Sequence, residues 1–180
     1  MDTSLYKDLE GNLNLSDFIN LKELICCCNK LTSLDLSNCS QLEKIDVHDC
    51  LLNNLTLPTN PNNLKELNLS DNNFPPQNLS FLTPYTNLKL LHLENTYRIR
   101  IKISRDLYNR FTGSLDHLSG MEKLAELNIS NTDINIGLEY LPDSLKHFYC
   151  LADYRPDAEC QNILRLLANE QETIKYAKNG

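Results

Sequence analysis

The sequence predicts an α/β solenoid, in which tandem turns stack to form a parallel β-sheet. The main observation is a phrase, Leu-x-x-Leu-x-Leu-x-x-Asn or a close variant, that recurs between Leu21 and Phe74. Leu-x-Leu alternation has a period of two, so it places these leucines on one side of a short strand. A single strand cannot bury its apolar side alone, whereas stacked turns bury it in one continuous core. The five copies begin at Leu21, Leu31, Leu42, Leu52 and Leu64.

The second observation is the period of the repeat. The second leucine of the phrase, or its replacement, falls at positions 24, 45, 67, 91, 127 and 148, so successive steps are 21, 22, 24, 36 and 21 residues. The copies that begin at Leu31 and Leu52 fall half a period away and predict a second strand on the other side of each turn. The step of 36 indicates an insertion within an otherwise regular solenoid.

This string of residues resembles the signature of the leucine-rich repeat family. The 21-residue period, with the phrase in both halves of a turn, is similar to the subclass called IRREKO. The resemblance implies a right-handed superhelix with a concave parallel sheet and a convex side of irregular segments, strands or short helices. The resemblance covers nearly the whole chain. The sequence is also similar to leucine-rich-repeat segments that are expanded in some fungal lineages, where related repeats occur alone or attached to protein-kinase domains. The sequence contains no kinase motif.

The chain is predicted to form one domain, 1–180, which divides into caps and repeats. Residues 1–12 are interpreted as an N-terminal cap in which Leu5, Tyr6 and Leu9 cover the first turn. The repeats occupy 13–155, and after Phe74 the three-residue leucine spacing and nearby prolines predict short helical turns on the convex side. An amphipathic pattern predicts a helix near 157–177 within a C-terminal cap and tail, 156–180.

The insertion, about 97–110, alternates polar and apolar residues and predicts an extra strand or a fold over the solenoid edge. It is strongly basic, and we regard it as a possible contact surface. The segment 109–115 resembles the convex part of plant-type repeats, so the solenoid is expected to resume there. The basic residues are Arg98, Arg100, Lys102, Arg105 and Arg110, against one acidic residue, Asp106.

Polar side chains recur at the ninth position of the phrase, where the chain leaves the strand. An amide, thiol or hydroxyl there can bond backbone groups that the turn would otherwise leave unpaired inside. The residues at this position are Asn29, Cys50, Asn72, Thr96 and Thr132.

The outward positions of the main sheet are the predicted binding face, since family members usually meet ligands on the concave sheet. Most of these side chains are polar, as on any solvated sheet, so a face without a partner stays an alternative. Large apolar groups at Ile25, Leu90, Tyr149 and Leu151 favour contact with a protein, although caps could shield Ile25 and Leu151. The candidate binding residues are Ile25, Lys44, Asp46, His48, Glu66, Asn68, Leu90, His92, Glu126, Asn128, His147 and Tyr149.

Catalysis and metal binding are not expected from the sequence. Cys27 should lie beside His48 and Asp46, which are the ingredients of a cysteine nucleophile, but nothing supplies an oxyanion hole or a water-excluding pocket. The histidines at 48, 92 and 147 fall in different columns and turns. The run Cys26–Cys28 is not interpreted as a metal site, because adjacent strand residues point to opposite faces. We therefore predict no enzyme activity, metal or cofactor.

The composition limits which class of partner and which cellular compartment we expect for the chain. A net charge of −7 disfavours a nucleic-acid partner, since phosphate binding requires a basic surface. The N-terminal residues do not resemble a signal peptide, and no apolar run reaches the length of a membrane span. Most of the seven cysteines occupy repeat positions and read as small buried hydrophobes, which fits a reducing, cytoplasmic setting.

Taken together, these observations predict a monomeric, non-catalytic module that binds a partner protein or peptide on its concave sheet. The alternative is a structural or regulatory segment of a larger assembly, for example one that contains a kinase. In that case the basic insertion or the caps would make the contacts.

Overall fold

The computed structural model describes residues 8–96 and 107–169 and shows a parallel β-solenoid of about six turns. Most of the regular structure is strand, with short 3-10 turns and one C-terminal helix. The predicted solenoid with a spacing of about 21 residues is therefore confirmed. The predicted cap residues Leu5 and Tyr6 and the basic stretch 97–106 lie outside the described residues.

Six strands of three residues each form the main parallel sheet. Their central residues stack in register, for example Ile45 on Leu24 and Leu67 on Ile45. Leu91 pairs directly with Leu127 across the long step, so the insertion leaves the sheet register intact. In spatial order the strands are β11 (His147–Tyr149), β9 (Glu126–Asn128), β7 (Leu90–His92), β6 (Glu66–Asn68), β4 (Lys44–Asp46) and β2 (Glu23–Ile25).

The second copy of the phrase forms a smaller parallel sheet on the other side of the N-terminal turns. It comprises β1 (Glu10–Asn14), β3 (Lys30–Asp35) and β5 (Asn54–Thr56). Leu34 pairs with Leu13 on one side and with Leu55 on the other, which is the half-period register that the sequence predicts. Strand β1 begins within the segment interpreted as a cap.

In the C-terminal half, 3-10 turns replace the strands of this second side, as the leucine spacing predicts. They are Ser80–Leu82, Leu115–Leu118 and Leu138–Tyr140, and a further 3-10 turn occupies Pro61–Asn63. A short parallel pair, β8 (Thr112–Ser114) and β10 (Asp133–Ile136), was not predicted. Phe111 anchors this region, since its buried ring lies 5.5 Å from that of Phe74 and 6.1 Å from that of Phe81.

The C-terminal helix, Gln161–Asn169, begins four residues later than predicted, and residues 170–177 lie outside the described part of the chain. Ala158, Cys160 and Ile163 are buried. The Cys160 amide donates to the carbonyl of Thr132, which attaches the start of the helix to the last turns.

Buried asparagines close the turns, as the ninth position predicts. Asn72 Nδ2 donates to the carbonyls of Val47 and Leu69 at 2.9 and 3.0 Å, while its Oδ1 accepts from the Leu52 amide at 3.0 Å. The Cys50 thiol takes the same role more weakly and donates to the carbonyl of Cys26 at 3.2 Å. Each turn thereby satisfies backbone groups that burial has removed from water.

Thr96 departs from this prediction. Its hydroxyl and amide bond the carboxylate of Asp71, at 2.5 and 2.6 Å. Asn109, from beyond the insertion, supplies the missing amide, since its Nδ2 donates to Leu69 O at 2.8 Å and its Oδ1 accepts from Phe74 N at 3.3 Å. Asn109 is fully buried. The repeat therefore resumes at Asn109 rather than continuing through Thr96.

Leu67→Ala should lower the free energy of unfolding by about 2–5 kcal/mol, because Leu67 is fully buried in the ladder of the main sheet. Urea denaturation of both proteins measures the difference. Leu166→Ala, at a side chain that is 49% exposed, is the matched control and should change it by less than about 0.5 kcal/mol. Equal effects of the two changes would contradict the register.

Asn109→Ala should lower the free energy of unfolding by about 1–3 kcal/mol, because it leaves buried backbone groups without partners. The control is Asn53→Ala, at an exposed turn position, which we expect to be nearly neutral. If Asn109→Ala proved as mild as Asn53→Ala in the same denaturation assay, the polar ladder would not pass through Asn109.

Candidate functional site on the six-stranded sheet

The outward face of the main sheet carries all the predicted binding residues except His48 in two columns, one from the first and one from the last residue of each strand. His48 lies two residues beyond β4. The register that buries the central leucines fixes both columns. The first column is Glu23, Lys44, Glu66, Leu90, Glu126 and His147, and the other is Ile25, Asp46, Asn68, His92, Asn128 and Tyr149.

Charged side chains in the middle of this face pair with one another across strands. Lys44 Nζ lies 2.9 Å from Glu66 Oε2, and His92 Nε2 lies 3.0 Å from Glu126 Oε1. The hydrogen bond that Lys44 donates to Glu66 raises the pKa of Lys44. These pairs are partly exposed, so they order the surface more than they stabilise the fold.

A shallow depression of about 120 Å³ lies beside these pairs. Such a depression is too small and open to enclose a substrate. Its shape suits contact with a side chain of a partner better than capture of a small molecule. The lining residues are Lys44, Ile45, Asp46, Glu66, Asn68, Leu90 and His92.

Two of the predicted binding residues, Asn68 and Asn128, also stabilise the turns that follow their strands. Asn68 Oδ1 accepts from the amide of Ser70 at 3.1 Å and from its hydroxyl at 2.6 Å. Asn128 Oδ1 accepts from the amide of Ser130 at 3.0 Å. This bond to the residue two positions later is an Asx turn, which ends the strand. Their carboxamide oxygens are thus engaged by the turn that follows each strand.

The four apolar residues predicted on the outward face differ in their exposure. Ile25 and Leu90 are half-buried, so Leu90 is less available than its position suggests. Tyr149 is 36% exposed and Leu151 is 47% exposed. The exposed apolar surface of this face therefore lies at β11 and the residues that follow it, and the described residues of the C-terminal cap leave Leu151 uncovered.

The seventh position of the phrase contributes a buried acid, Glu94. The side chain is 8% exposed, and its Oε2 has no hydrogen-bond partner among the described residues. Burial raises the pKa of Glu94, and the nearby charge of Asp71 adds to the effect. The predicted binding set did not include this residue, and only its column position could have indicated it.

At the other end of the face, His48 pairs with Asp46, with 2.6 Å between Nδ1 and Oδ1. This hydrogen bond raises the pKa of His48. Burial opposes ionisation of Asp46, but the side-chain hydrogen bond, charge and backbone amide of His48, together with the charge of Lys44, outweigh it and lower the pKa of Asp46. The carboxylate thus orients the imidazole.

Cys27 lies next to this pair, as the register predicts, but its chemistry differs from that of a nucleophile. Burial and the neighbouring Cys28 and Asp46 raise the pKa of the Cys27 thiol. Reactive cysteines have a lowered pKa, because the thiolate is the attacking species. The environment of Cys27 favours the thiol.

The prediction that neighbouring residues of Cys26–Cys28 point to opposite faces of a strand is wrong for Cys27 and Cys28. Strand β2 ends at Ile25, and Cys28 adopts a left-handed backbone conformation with φ 59°. The chain therefore no longer alternates, and the thiols of Cys27 and Cys28 and one ring nitrogen of His48 lie within 4.8 Å of one another. The equivalent turn positions hold Asp49, Asp71 and Asn131, also left-handed, and this alignment was the signal available in the sequence.

Four of the predicted basic residues, Arg98, Arg100, Lys102 and Arg105, lie outside the described part of the chain. At its described end, the insertion is held against the solenoid. The guanidinium groups of Arg110 and Arg155 lie 4.7 and 4.6 Å from the ring centroid of Tyr108. Arg155 also pairs with Asp133, at 3.1 Å.

Comparison with known proteins gives no assignment: no protein-family model matches the chain, and neither does any curated protein. Within the described residues, no helix is both long and apolar enough to cross a membrane.

Glu94→Gln should stabilise the protein at pH 7 by about 1 kcal/mol, because it removes the burial of a charge. The pKa of Glu94 is raised in the folded state, so the wild type loses stability as the pH rises from the unfolded to the folded value. The advantage of the variant should be small at low pH, grow through this window and then level off. Denaturation across pH measures it.

The control for this prediction is Glu139→Gln, at an exposed position of a 3-10 turn. It should change the free energy of unfolding by less than about 0.5 kcal/mol at each pH. A Glu94→Gln advantage that does not vary with pH would contradict the role of the buried carboxylate.

Proposed function

We propose that this chain is a leucine-rich-repeat recognition module of the IRREKO-like kind, with a right-handed superhelix whose concave surface is the six-stranded sheet. The proposal combines the resemblance of the repeat string with the solenoid of about 21 residues per turn. On this proposal the module is monomeric and non-catalytic, and it binds a protein or peptide along the sheet.

The observation that carries the proposal is the exposed pair Tyr149 and Leu151 on a rigid face that is otherwise polar. Aromatic and aliphatic side chains held in place by a scaffold contribute most of the energy of protein contacts. Their backbones belong to, or directly follow, a strand paired in register, so little conformational entropy is lost when a partner binds.

The charges of the face define the partner further. Glu23, Glu66, Glu126 and Asp46 are acidic, and Lys44 is the basic residue among the two columns. We therefore propose a basic, extended peptide that also carries an apolar side chain for Tyr149. Its association should weaken as salt rises, because exposed charges are screened.

The raised pKa of Cys27 and the shallow open depression support a non-catalytic role. The alternative, a structural or regulatory segment that makes contacts through its basic insertion or its caps, depends on the charge of 97–110. The described residues give it no further support.

The test is a peptide selection followed by calorimetry. Peptides displayed in a random library are enriched on the immobilised chain, and the best one is titrated into wild type, Tyr149→Ala and Tyr140→Ala. Tyr140 is 47% exposed but lies in a 3-10 turn away from the main sheet, so it is the matched control. Tyr149→Ala should weaken binding at least tenfold, about 1.4 kcal/mol, and Tyr140→Ala should leave it unchanged.

Failure of the selection, or equal effects of the two tyrosine variants, would contradict the sheet-face proposal. Loss of binding in an Arg98→Glu, Arg100→Glu variant, with no effect of Tyr149→Ala, would favour the alternative in which the insertion makes the contact.

A further inference from the structure

Cys27, Cys28 and His48 form a convergent set of soft and borderline ligand atoms at the N-terminal end of the sheet. All three ligand atoms lie within 4.8 Å of one another. Zn–S bonds of about 2.3 Å set roughly 3.8 Å between two sulfurs of one tetrahedral ion, so the ligand atoms have to close in by up to about 1 Å to share a metal. Cys28 is exposed, while Cys27 and His48 are half-buried, so the cluster is open to solvent on one side.

Backbone hydrogen bonds hold this arrangement in place. The amide of Cys26 donates to the carbonyl of Asp46 at 2.8 Å, and the amide of Cys28 donates to the carbonyl of His48 at 3.0 Å. The two cysteines are therefore locked beside His48 by the pairing of their turns. The left-handed conformation of Cys28, which is uncommon for a residue other than glycine, turns its thiol toward the cluster.

Asp46 completes the features of a metal site. With a proton on Nδ1, His48 donates to Oδ1 of Asp46, and Nε2 keeps the lone pair that a metal requires. A carboxylate in this outer position fixes the tautomer and the ring orientation of metal-binding histidines.

We propose that Cys27, Cys28 and His48 bind one Zn²⁺ ion, with Asp46 as the positioning residue. Two sulfurs and one imidazole suit zinc, and three protein ligands leave a fourth position for water. On binding, each thiol loses its proton to solvent as its Zn–S bond forms, so two protons are released and no electron is transferred.

A structural explanation without metal accounts for less of the geometry. Asp49, Asp71 and Asn131 show which residues the left-handed turn position ordinarily takes here. A cysteine at 28 is not the residue that this conformation favours, whereas a ligand for zinc explains a thiol at this position. Adjacent thiols beside a carboxylate-oriented imidazole are likewise unnecessary for packing a surface turn.

The experiment uses the full chain, reduced with a phosphine and freed of metal by a chelator. Zn²⁺ is titrated in competition with a chromophoric chelator, and Co²⁺ is titrated separately as a spectroscopic probe. We expect one Zn²⁺ per chain, a higher melting temperature with zinc, and for Co²⁺ the thiolate charge-transfer absorption and intense d–d bands of a tetrahedral site.

Variants assign the ligands. Cys27→Ser, Cys28→Ser and His48→Gln should each weaken Zn²⁺ binding more than 100-fold, and Asp46→Asn should weaken it about 10–100-fold. Two controls should bind zinc like the wild type. Cys39→Ser removes a buried thiol whose hydrogen bond to Leu15 O a hydroxyl can keep, and His147→Gln removes another histidine from the same face.

Metal-free melting curves of all variants show whether each one folds. The Co²⁺ spectrum of the wild type is independent of any variant. The proposal is overturned if wild type in reductant binds no zinc, or if Co²⁺ gives no thiolate charge-transfer band. It is equally overturned if the two controls lose as much affinity as the ligand variants.

Discussion

The solenoid depends on satisfying the backbone where each buried strand turns outward. Three-residue strands such as Glu66–Asn68 leave most of the turn without strand pairing, yet the turn is packed inside the stack. Unpaired buried amides and carbonyls would each cost a free energy comparable to a lost hydrogen bond. The side chains of Asn29, Asn72 and Asn109 remove this cost, because each one bonds backbone groups of the preceding turn. Asn29 and Asn72 also bond carbonyls of their own turn. The apolar ladder can therefore stay continuous.

This constraint also determines the surface. Once turns stack in register, the outward side chains stand in columns with the spacing of neighbouring strands, about 4.8 Å. Lys44 and Glu66 meet because they occupy the same position in consecutive turns, and Asp46 reaches His48 because they lie two residues apart on the same face. The arrangement of charges is thus a consequence of the repeat rather than of any separate folding of the site.

Period-two alternation and the repeat spacing were enough to predict a parallel solenoid and the register of its main sheet. Ile45, Leu67 and Leu91 had to face inward, and an error of one residue would have exposed all of them. The predictions failed where the backbone leaves the regular pattern. Whether Thr96 or Asn109 closes the fourth turn depends on where the insertion begins, which spacing alone does not reveal. Similarly, the alternation rule applied to Cys28 assumes a strand, but the strand has already ended at Ile25.

The middle of the six-stranded sheet and its two ends differ in the side chains that a partner or a ligand could contact. In the middle, Lys44 with Glu66 and His92 with Glu126 already satisfy one another, so a partner would have to replace these contacts to gain from them. Toward the two ends of the sheet, the described outward side chains are not joined in such ion pairs across strands. Tyr149 and Leu151 expose apolar surface beside β11, and the Cys27–Cys28–His48 cluster lies beside β2. β2 and β11 are the edge strands of the described sheet, so each of them pairs with a neighbouring strand on one side. The left-handed backbone of Cys28 recurs at Asp49, Asp71 and Asn131, so at this position only the choice of a cysteine departs from the repeat, as the exposed Tyr149 does in β11.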